Sequence, residues 1–217
     1  MARLTRGRFI ALEGGEGTGK STQSRLLAAE FERRGLKVVL TREPGGTAGA
    51  EAIRKLLLEP PGEGWGMRAE ALLFAAARSD HVERLIDPAL ASGRWVICDR
   101  FLDSSRAYQG SAGLLGDELV RSLHESGSRG LLPDLTLVIA VHDATAAARL
   151  AARDGTASDA IGGRDGAYHA SVNAAFVQFA QSEPERFAVI DGEGTVEQVH
   201  SRILAALEPL FEADPRS

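Results

Sequence analysis

Four glycines occupy the first six residues of the stretch GGEGTGKSTQ, which runs from Gly14 to Gln23. Backbone N–H groups can curl around phosphate oxygens only where the backbone is free to adopt unusual angles and no Cβ intrudes. The spacing Gly14-x-x-x-x-Gly19-Lys20-Ser21 matches the phosphate-binding loop (P-loop), between an apolar run and a helical pattern. The stretch therefore predicts a site for the phosphates of a nucleoside triphosphate.

Residues of different chemical type in the loop are expected to bind different parts of Mg-ATP. Lys20 supplies a point charge for the β- and γ-phosphates, and the Ser21 hydroxyl is a ligand for Mg²⁺. The helix that begins near Lys20 adds the positive end of its dipole. The predicted ATP-binding residues are Gly14, Gly15, Glu16, Gly17, Thr18, Gly19, Lys20, Ser21 and Thr22.

A second polar segment, CDRFLDSSRAYQG, follows the apolar run Trp95–Cys98. Asp99 lies at a strand end, where open parallel sheets present side chains to ligands, and it could hold Mg²⁺ through water. Arg100 could clamp a phosphate through two hydrogen bonds, although a surface ion pair between Asp99 and Arg100 is an equal alternative. The serines, tyrosine and glutamine that follow offer polar groups for a base and a sugar.

Two further segments carry candidate ligand-binding residues. TREPGGT places Arg42 and Glu43 at the same edge of the predicted sheet, or simply forms a turn at its proline and glycines. LLFAAARSDH places Phe74 and Arg78 four residues apart, on one face of a helix. An aromatic ring and a hydrogen-bond donor could read a base, although a core phenylalanine and a solvated arginine would give the same pattern.

Short apolar runs alternate with helical patterns along the chain. This alternation predicts a three-layer α/β/α fold with a five-stranded parallel sheet. The predicted strands are Phe9–Leu12, Leu36–Leu40, Trp95–Cys98, Leu135–Val141 and Phe187–Ile190. The predicted helices are Ser21–Arg34, Glu51–Leu58, Met67–Ala91 with a bend or new start at Pro88, Asp117–Ser126, Ala144–Arg153, Ala167–Gln181 and Val196–Phe211. The glycine-rich segment 154–166 is either a lid or a connecting loop.

Composition narrows the class of protein. The 217 residues favour a single domain, and the net charge of −5 argues against a nucleic-acid partner. The single cysteine, Cys98, excludes an intrachain disulfide, and no apolar run reaches the roughly 18 residues of a membrane span. We therefore expect a cytoplasmic protein without a membrane partner.

The absence of an Asn-Lys-x-Asp segment argues against a GTP-binding switch protein. A small kinase needs a second pocket for its acceptor, and the segments around Arg42, Phe74 and Arg100 supply one. From the residues alone, two classes stay open: a kinase for a small acceptor such as a nucleoside monophosphate, and a regulatory protein that turns ATP over slowly.

Taken in order, the segments GGEGTGKST, TREPGGT, LLFAAAR, DRFLDSSRAYQG and PDLTL, followed by a late helix–lid–helix, resemble the bacterial thymidylate kinase family. The resemblance implies a P-loop nucleoside monophosphate kinase with a helical lid. It also implies transfer of the γ-phosphoryl group of Mg-ATP to dTMP, giving dTDP for dTTP biosynthesis, by a homodimer.

The resemblance assigns roles to individual residues. Phe74 stacks on thymine, Arg78 donates to a base carbonyl, and Ser105 and Gln109 approach the base. Tyr108 lies near the sugar 2′ position. Acceptor-phosphate and sugar contacts are expected from Glu16, Arg42, Arg100 and Ser104, metal contacts from Ser21 and Asp99, and catalytic contacts from Lys20, Arg100, Arg149 and Arg153.

The chain departs from the family pattern at two places. Ala140 stands where the fourth strand often ends in an aspartate, and Ala160 stands where many lids carry an arginine. Arg164, four residues later, could replace that arginine. The histidines are scattered along the sequence and are expected to be structural: His81, His124, His142, His169 and His200.

Overall fold

A computed structural model describes residues 6–154 and 160–213, without the side chains of residues 153 and 154. Its five-stranded sheet has the order β2-β3-β1-β4-β5, and every pairing is parallel. The strands are β1 (Phe9–Glu13), β2 (Val38–Arg42), β3 (Trp95–Asp99), β4 (Leu135–Ala140) and β5 (Phe187–Asp191). The predicted parallel α/β sheet is confirmed.

Helices cover both faces of this sheet, as parallel strands require. They are α1 (Lys20–Arg33), α2 (Ala48–Leu58), α3 (Met67–His81), α4 (Asp87–Ala91), α5 (Leu102–Ser105), α6 (Asp117–Ser128), α7 (Asp143–Asp154), α8 (Gly166–Ser182) and α9 (Val196–Glu212). Among the described residues, none of the helices combines the length and the apolar character needed to cross a membrane.

The alternation of side chains along β1 divides the core between the two faces. Ile10 packs with Phe31 of α1 and Ile203 of α9, whereas Phe9 packs with Ile86 and Phe101 on the other face. Successive residues of a strand point to opposite sides, so an unbroken apolar strand anchors both helix layers at once. The Phe9 and Phe101 rings meet edge to face, with their centroids 4.8 Å apart.

The second strand was predicted two residues too early. The pattern placed its start at Leu36, but the strand begins at Val38 and ends at Arg42. Gly35 has a φ of 80°, and the N–H of Leu36 donates to the carbonyl of Phe31 at 2.9 Å. Leu36 therefore closes the end of α1 and is not available to the sheet.

The helical pattern Met67–Ala91 is continuous but not uniform. A π-helical turn, Val82–Ile86, joins α3 to α4, and Pro88 lies in the first turn of α4, where the missing N–H is tolerated. One helical segment was not predicted. It consists of α5 and the π-helical stretch that continues it, Arg106–Ala112. This second stretch carries Tyr108 and Gln109.

Candidate active site

A cavity of about 760 Å³ lies at the carboxyl ends of the strands, where open parallel sheets bind ligands. It collects residues that the sequence places in five separate segments. The predicted residues that line it are Glu16, Gly17, Thr18, Gly19, Lys20, Ser21, Thr22, Arg42, Phe74, Asp99, Arg100, Ser104, Ser105, Tyr108, Gln109 and Arg149. Gly14, Gly15 and Arg78 do not line it.

The glycine-rich loop connects β1 to α1 and is tightly enclosed. Gly14 has a φ of 137°, and a Cβ there would lie 2.5 Å from the carbonyl oxygen of Ile139. Gly17 has a φ of 72°, and its Cβ would lie 2.5 Å from the carbonyl oxygen of Ala146 in α7. Both the backbone angles and the space require glycine at these positions.

Lys20 begins α1 and is only 6% exposed. Its Nζ donates to the carbonyl of Gly15 at 2.6 Å and to the hydroxyl of Thr18 at 3.3 Å. Burial, followed by the nearby charge of Arg100, lowers the pKa of Lys20 to about 8. An anion at the loop would therefore relieve an electrostatic penalty as well as accept hydrogen bonds.

Ser21 and Asp99 form the predicted metal-binding pair. The Ser21 hydroxyl donates to Oδ2 of Asp99 at 2.5 Å, although 78 residues separate them in the sequence. Over the described ranges, no group of three or more histidine, cysteine or acidic side chains could hold a metal ion. One hydroxyl and one carboxylate beside a phosphate loop nevertheless suit Mg²⁺, which keeps several waters and takes its other ligands from phosphate oxygens.

Arg100 bridges the phosphate loop and the turn that carries Ser104. Its Nη1 donates to the carbonyl of Gly14 and to Ser104, each at 3.1 Å, and its Nη2 donates to Glu16 at 2.5 Å. Its guanidinium lies over the Tyr108 ring, 5.3 Å from the centroid. Burial disfavours its charge, but Tyr108 and Glu16 outweigh that effect and raise the pKa of Arg100 above its ordinary value. Arg100 is therefore a permanent cation at the centre of the cavity.

The structural role of Glu13, at the end of β1, was not predicted. Its carboxylate is fully buried and accepts from the backbone N–H groups of Phe101 and Ser104, at 2.8 and 3.0 Å, and from the Ser104 hydroxyl at 2.6 Å. Burial, followed by the charge of Asp103, raises the pKa of Glu13 to about 7. Glu13 thus fixes the turn that presents Arg100 and Ser104 to the cavity.

The residues predicted to bind a base and its sugar divide into two layers. Phe74, Ser105, Tyr108 and Gln109 line the cavity, whereas Arg78 is 3% exposed and lies behind them. Arg78 donates to Glu43 at 2.7 Å and to the Ser105 hydroxyl at 2.9 Å. Direct contact of Arg78 with a base stays a prediction. Of Arg78 and its hydrogen-bond partner Ser105, it is Ser105 that lines the cavity.

Arg42 and an unpredicted arginine, Arg54, line another part of the cavity. The Arg42 side chain is 54% exposed and pairs with Glu51 at 3.0 Å. Arg54 donates to the carbonyl of Pro44 at 2.7 Å. Arg54 could have been identified from the sequence, because it lies three residues after Glu51 on the helix that follows TREPGGT.

The lid side contributes Arg149 of α7, whose Nη1 donates to the carbonyl of Thr18 at 3.4 Å and whose Nη2 donates to that of Gly192 at 3.0 Å. The Arg153 side chain and residues 155–159 of the predicted lid lie outside the described residues. Arg164 lies just before α8 and pairs with Glu70 at 2.5 Å.

A stretch after β5 also lines the cavity and was not predicted, namely Gly194, Thr195 and Val196. Its position at the carboxyl end of an edge strand was the usable signal. None of the five histidines, all of which lie in the described part of the chain, lines the cavity. His81 is fully buried and contacts Thr41 at 2.8 Å and Glu43 at 3.0 Å, as a structural histidine does.

The sequence and the fold were compared with known proteins. The family model described as thymidylate kinase matches residues 12–203. The chain belongs to the thymidylate kinase family. This membership confirms the expected activity, that of a phosphotransferase that converts dTMP to dTDP with ATP.

Named relatives in this family cover nearly the whole chain. A thymidylate kinase from Rhizorhabdus wittichii is 55% identical over 205 residues, which are 94% of this chain and 99% of the relative. One from Rhodopseudomonas palustris is 48% identical over 94% of this chain and 90% of its own length. The crystal structure of thymidylate kinase from Ehrlichia chaffeensis superposes with a TM-score of 0.76 at 33% identity, covering 93% of this chain and 99% of that one.

Proposed function

We propose that this thymidylate kinase brings ATP and dTMP together in the single cavity described above. The observation that carries the proposal is that one cavity is lined both by the phosphate loop, around Lys20, and by the aromatic and polar set Phe74, Tyr108 and Gln109. ATP phosphates lie on the loop, and the dTMP base lies against Phe74. The segment from Gly194 to Val196 offers apolar and backbone groups to the adenosine.

The reaction is an in-line attack by a dTMP phosphate oxygen on the γ-phosphorus. That oxygen is already largely anionic at neutral pH, because the second pKa of a phosphate monoester is about 6. A strong general base is therefore unnecessary, and the cations perform the catalysis. Lys20 neutralises the β- and γ-oxygens, and Arg100 holds the acceptor phosphate between the loop and Ser104.

Magnesium is the proposed metal cofactor, held by Ser21 and Asp99. When bound, it supplies charge neutralisation at the β- and γ-phosphates. Ser21 contributes a hydroxyl oxygen next to the loop, and Asp99 orients that hydroxyl from the end of β3.

The acceptor is proposed to be recognised at three places. Phe74 stacks on thymine, and Ser105 and Gln109 meet its polar edge. Tyr108, whose OH lies 3.4 Å from Glu16, approaches the sugar, where it disfavours a 2′-hydroxyl. Arg42 and Arg54 add positive charge near the acceptor phosphate. A homodimer is proposed on the family resemblance, and a cytoplasmic location on the composition of the chain. Sedimentation of the purified chain tests the dimer.

A coupled assay of ADP release across a panel of nucleoside monophosphates tests the function. We expect dTMP to be preferred over dCMP, dGMP and UMP, with dUMP the nearest competitor. A missing methyl group is worth about 1–3 kcal/mol in an apolar pocket. ADP release without an acceptor would indicate a regulatory ATPase, and equal kcat/KM for dTMP and dCMP would contradict the base assignment.

A further inference from the structure

Glu70 is a buried carboxylate whose two oxygens serve different parts of the site. It lies in the first turn of α3, one helical turn before Phe74, and is 5% exposed. Its Oε1 accepts from Nε2 of Gln109 at 2.8 Å, and its Oε2 accepts from Nη2 of Arg164 at 2.5 Å. Glu70 therefore connects the cavity wall to the residues just before α8.

The carboxylate determines which way the Gln109 amide faces. An ionised carboxylate only accepts hydrogen bonds, so the NH₂ group of Gln109 must point to Glu70, and the reversed amide would set two oxygens against each other. The Gln109 side chain is 1% exposed and lines the cavity. Within the described part of the chain, its Oε1 is buried and has no hydrogen-bond partner.

Such an unpartnered buried acceptor is costly until a donor reaches it. Thymine and uracil carry a ring N3–H, which is a donor, whereas cytosine presents a lone pair at the same ring position. A thymine ring that reaches the carbonyl oxygen of Gln109 supplies the missing hydrogen bond. Cytosine would place two acceptors in contact.

We propose that Glu70 is a positioning residue that holds the Gln109 carbonyl oxygen toward the acceptor base, so that the site accepts bases with a ring N–H donor and rejects cytosine. Arg164 supports this arrangement by holding the other carboxylate oxygen of Glu70, Oε2, in a direct ion pair. The inference deepens the proposed function, because it rests on the assignment of Gln109 to the base pocket.

The test is the dTMP-to-dCMP ratio of kcat/KM in the full-length Glu70→Gln variant. A neutral glutamine can accept or donate, so Gln109 is free to reverse. We expect the ratio to fall at least about tenfold, through a higher KM for dTMP and a lower one for dCMP, while kcat for dTMP changes less than about threefold. Glu70→Asp, which keeps the charge, should restore part of the preference.

A double-mutant comparison shows whether Glu70 acts through Gln109. In a Gln109→Leu background, Glu70→Gln should produce no further change in the ratio. Asp103→Asn is the matched control, because Asp103 is likewise a buried carboxylate paired with an arginine, but its hydrogen bonds go to Arg106, Thr136 and Arg186 and not to Gln109. It should lower stability and leave the base preference intact.

A substrate analogue gives a test that needs only the wild-type protein, so it does not depend on whether a variant folds. In N3-methyl-dTMP a methyl group replaces the N3 hydrogen while both ring carbonyls are kept, and we expect wild-type kcat/KM to fall at least about tenfold. The proposal is overturned by full use of this analogue, by a folded Glu70→Gln protein with an unchanged ratio, or by an equal effect of Glu70→Gln in both backgrounds. Failure of the wild-type protein to use dTMP would overturn the proposed function instead.

Discussion

The Lys20 ammonium is enclosed by the loop that precedes it and is held by neutral oxygens, the carbonyl of Gly15 and the hydroxyl of Thr18. Burial lowers the pKa of Lys20 to about 8, because those oxygens stabilise the charged ammonium less well than water does. Triphosphate oxygens are far better partners for a buried cation. Binding of ATP should therefore return the pKa of Lys20 toward its ordinary value.

This linkage predicts proton uptake when nucleotide binds in alkaline solution. At about pH 9 the free lysine is mostly neutral and the bound lysine is charged, so each ATP analogue bound should take up a substantial fraction of one proton. At about pH 6.5 the lysine is protonated in both states and contributes none. Apparent affinity should consequently fall as the pH rises through 8.

Titration calorimetry of a non-hydrolysable ATP analogue measures the uptake, in two buffers that differ in ionisation enthalpy. The Lys20→Met variant is the control, because it keeps much of the side-chain volume and removes the titrating group. Uptake at about pH 9 that persists in the variant would show that another group titrates.

At the residue scale, prediction from sequence succeeded where the partners are local. The loop pattern contains Lys20, Ser21 and the start of α1 in one stretch, so their arrangement follows from the spacing. Arg78 differs, because its partners Glu43 and Ser105 are 35 and 27 residues away. Nothing in the helical spacing of Phe74 and Arg78 indicates that one lines the cavity and the other lies behind it.

The π-helical stretch Arg106–Ala112 is the element that the hydrophobic pattern could not reveal. Its buried side chains include Arg106 and Gln109, and the preceding turn buries Asp103. Apolar periodicity identifies a helix only where its buried face is apolar. The strands of the sheet were predictable for the same reason, because they are buried on both faces by apolar residues.

Arg106 fastens this stretch to its neighbours. Its guanidinium is 3% exposed, and it donates to Asp103 at 2.8 Å, to Asp117 of α6 at 2.6 Å and to Glu183 after α8 at 2.8 Å. Arg121 binds the last two of these carboxylates but is 41% exposed. The two arginines therefore share acidic partners and differ chiefly in burial.

This contrast gives a prediction for stability. Arg106→Ala leaves the fully buried Asp103 without its closest cation and should lower the free energy of unfolding by roughly 3–5 kcal/mol. Arg121→Ala removes a solvated pair and should cost about 0–1 kcal/mol. Denaturant unfolding of the two variants measures the difference. Equal losses would mean that burial does not decide the value of these ion pairs.

At the scale of the whole molecule, the cavity forms where segments distant in sequence converge on one edge of the sheet. The alternation of strands and helices predicted that edge, and with it the place of Asp99 and Arg100. It could not predict which side chains of α2 or of the stretch after β5 reach the cavity. Arg54 and Thr195 do so because of packing between elements, which no local spacing encodes.

The arginines on the lid side are engaged in different ways. Arg149 of α7 reaches the carbonyl of Thr18 in the phosphate loop and that of Gly192 after β5, so it lies at the phosphate-loop side of the cavity. Arg164 is held by Glu70 in an ion pair beside Gln109. Arg153 lies one helical turn beyond Arg149, and its side chain is outside the described residues. Their substitutions should therefore affect different kinetic constants.

We expect Arg153→Ala to lower kcat by roughly 10³-fold with little change in dTMP affinity, as loss of an arginine finger does. Arg149→Ala should have a smaller effect on kcat and should raise KM for ATP, because the contacts of Arg149 join the loop to the stretch after β5. Arg164→Ala should raise KM for dTMP and leave the transfer step nearly unchanged, since its partner is Glu70 and not a phosphate group.

Single-turnover rates at saturating substrates separate these effects, because they isolate transfer from binding and product release. If Arg164→Ala slowed single-turnover transfer as Arg153→Ala does, Arg164 would be replacing the arginine absent at Ala160. Wild-type transfer rates in every variant would show that other cations neutralise the transferring phosphoryl group.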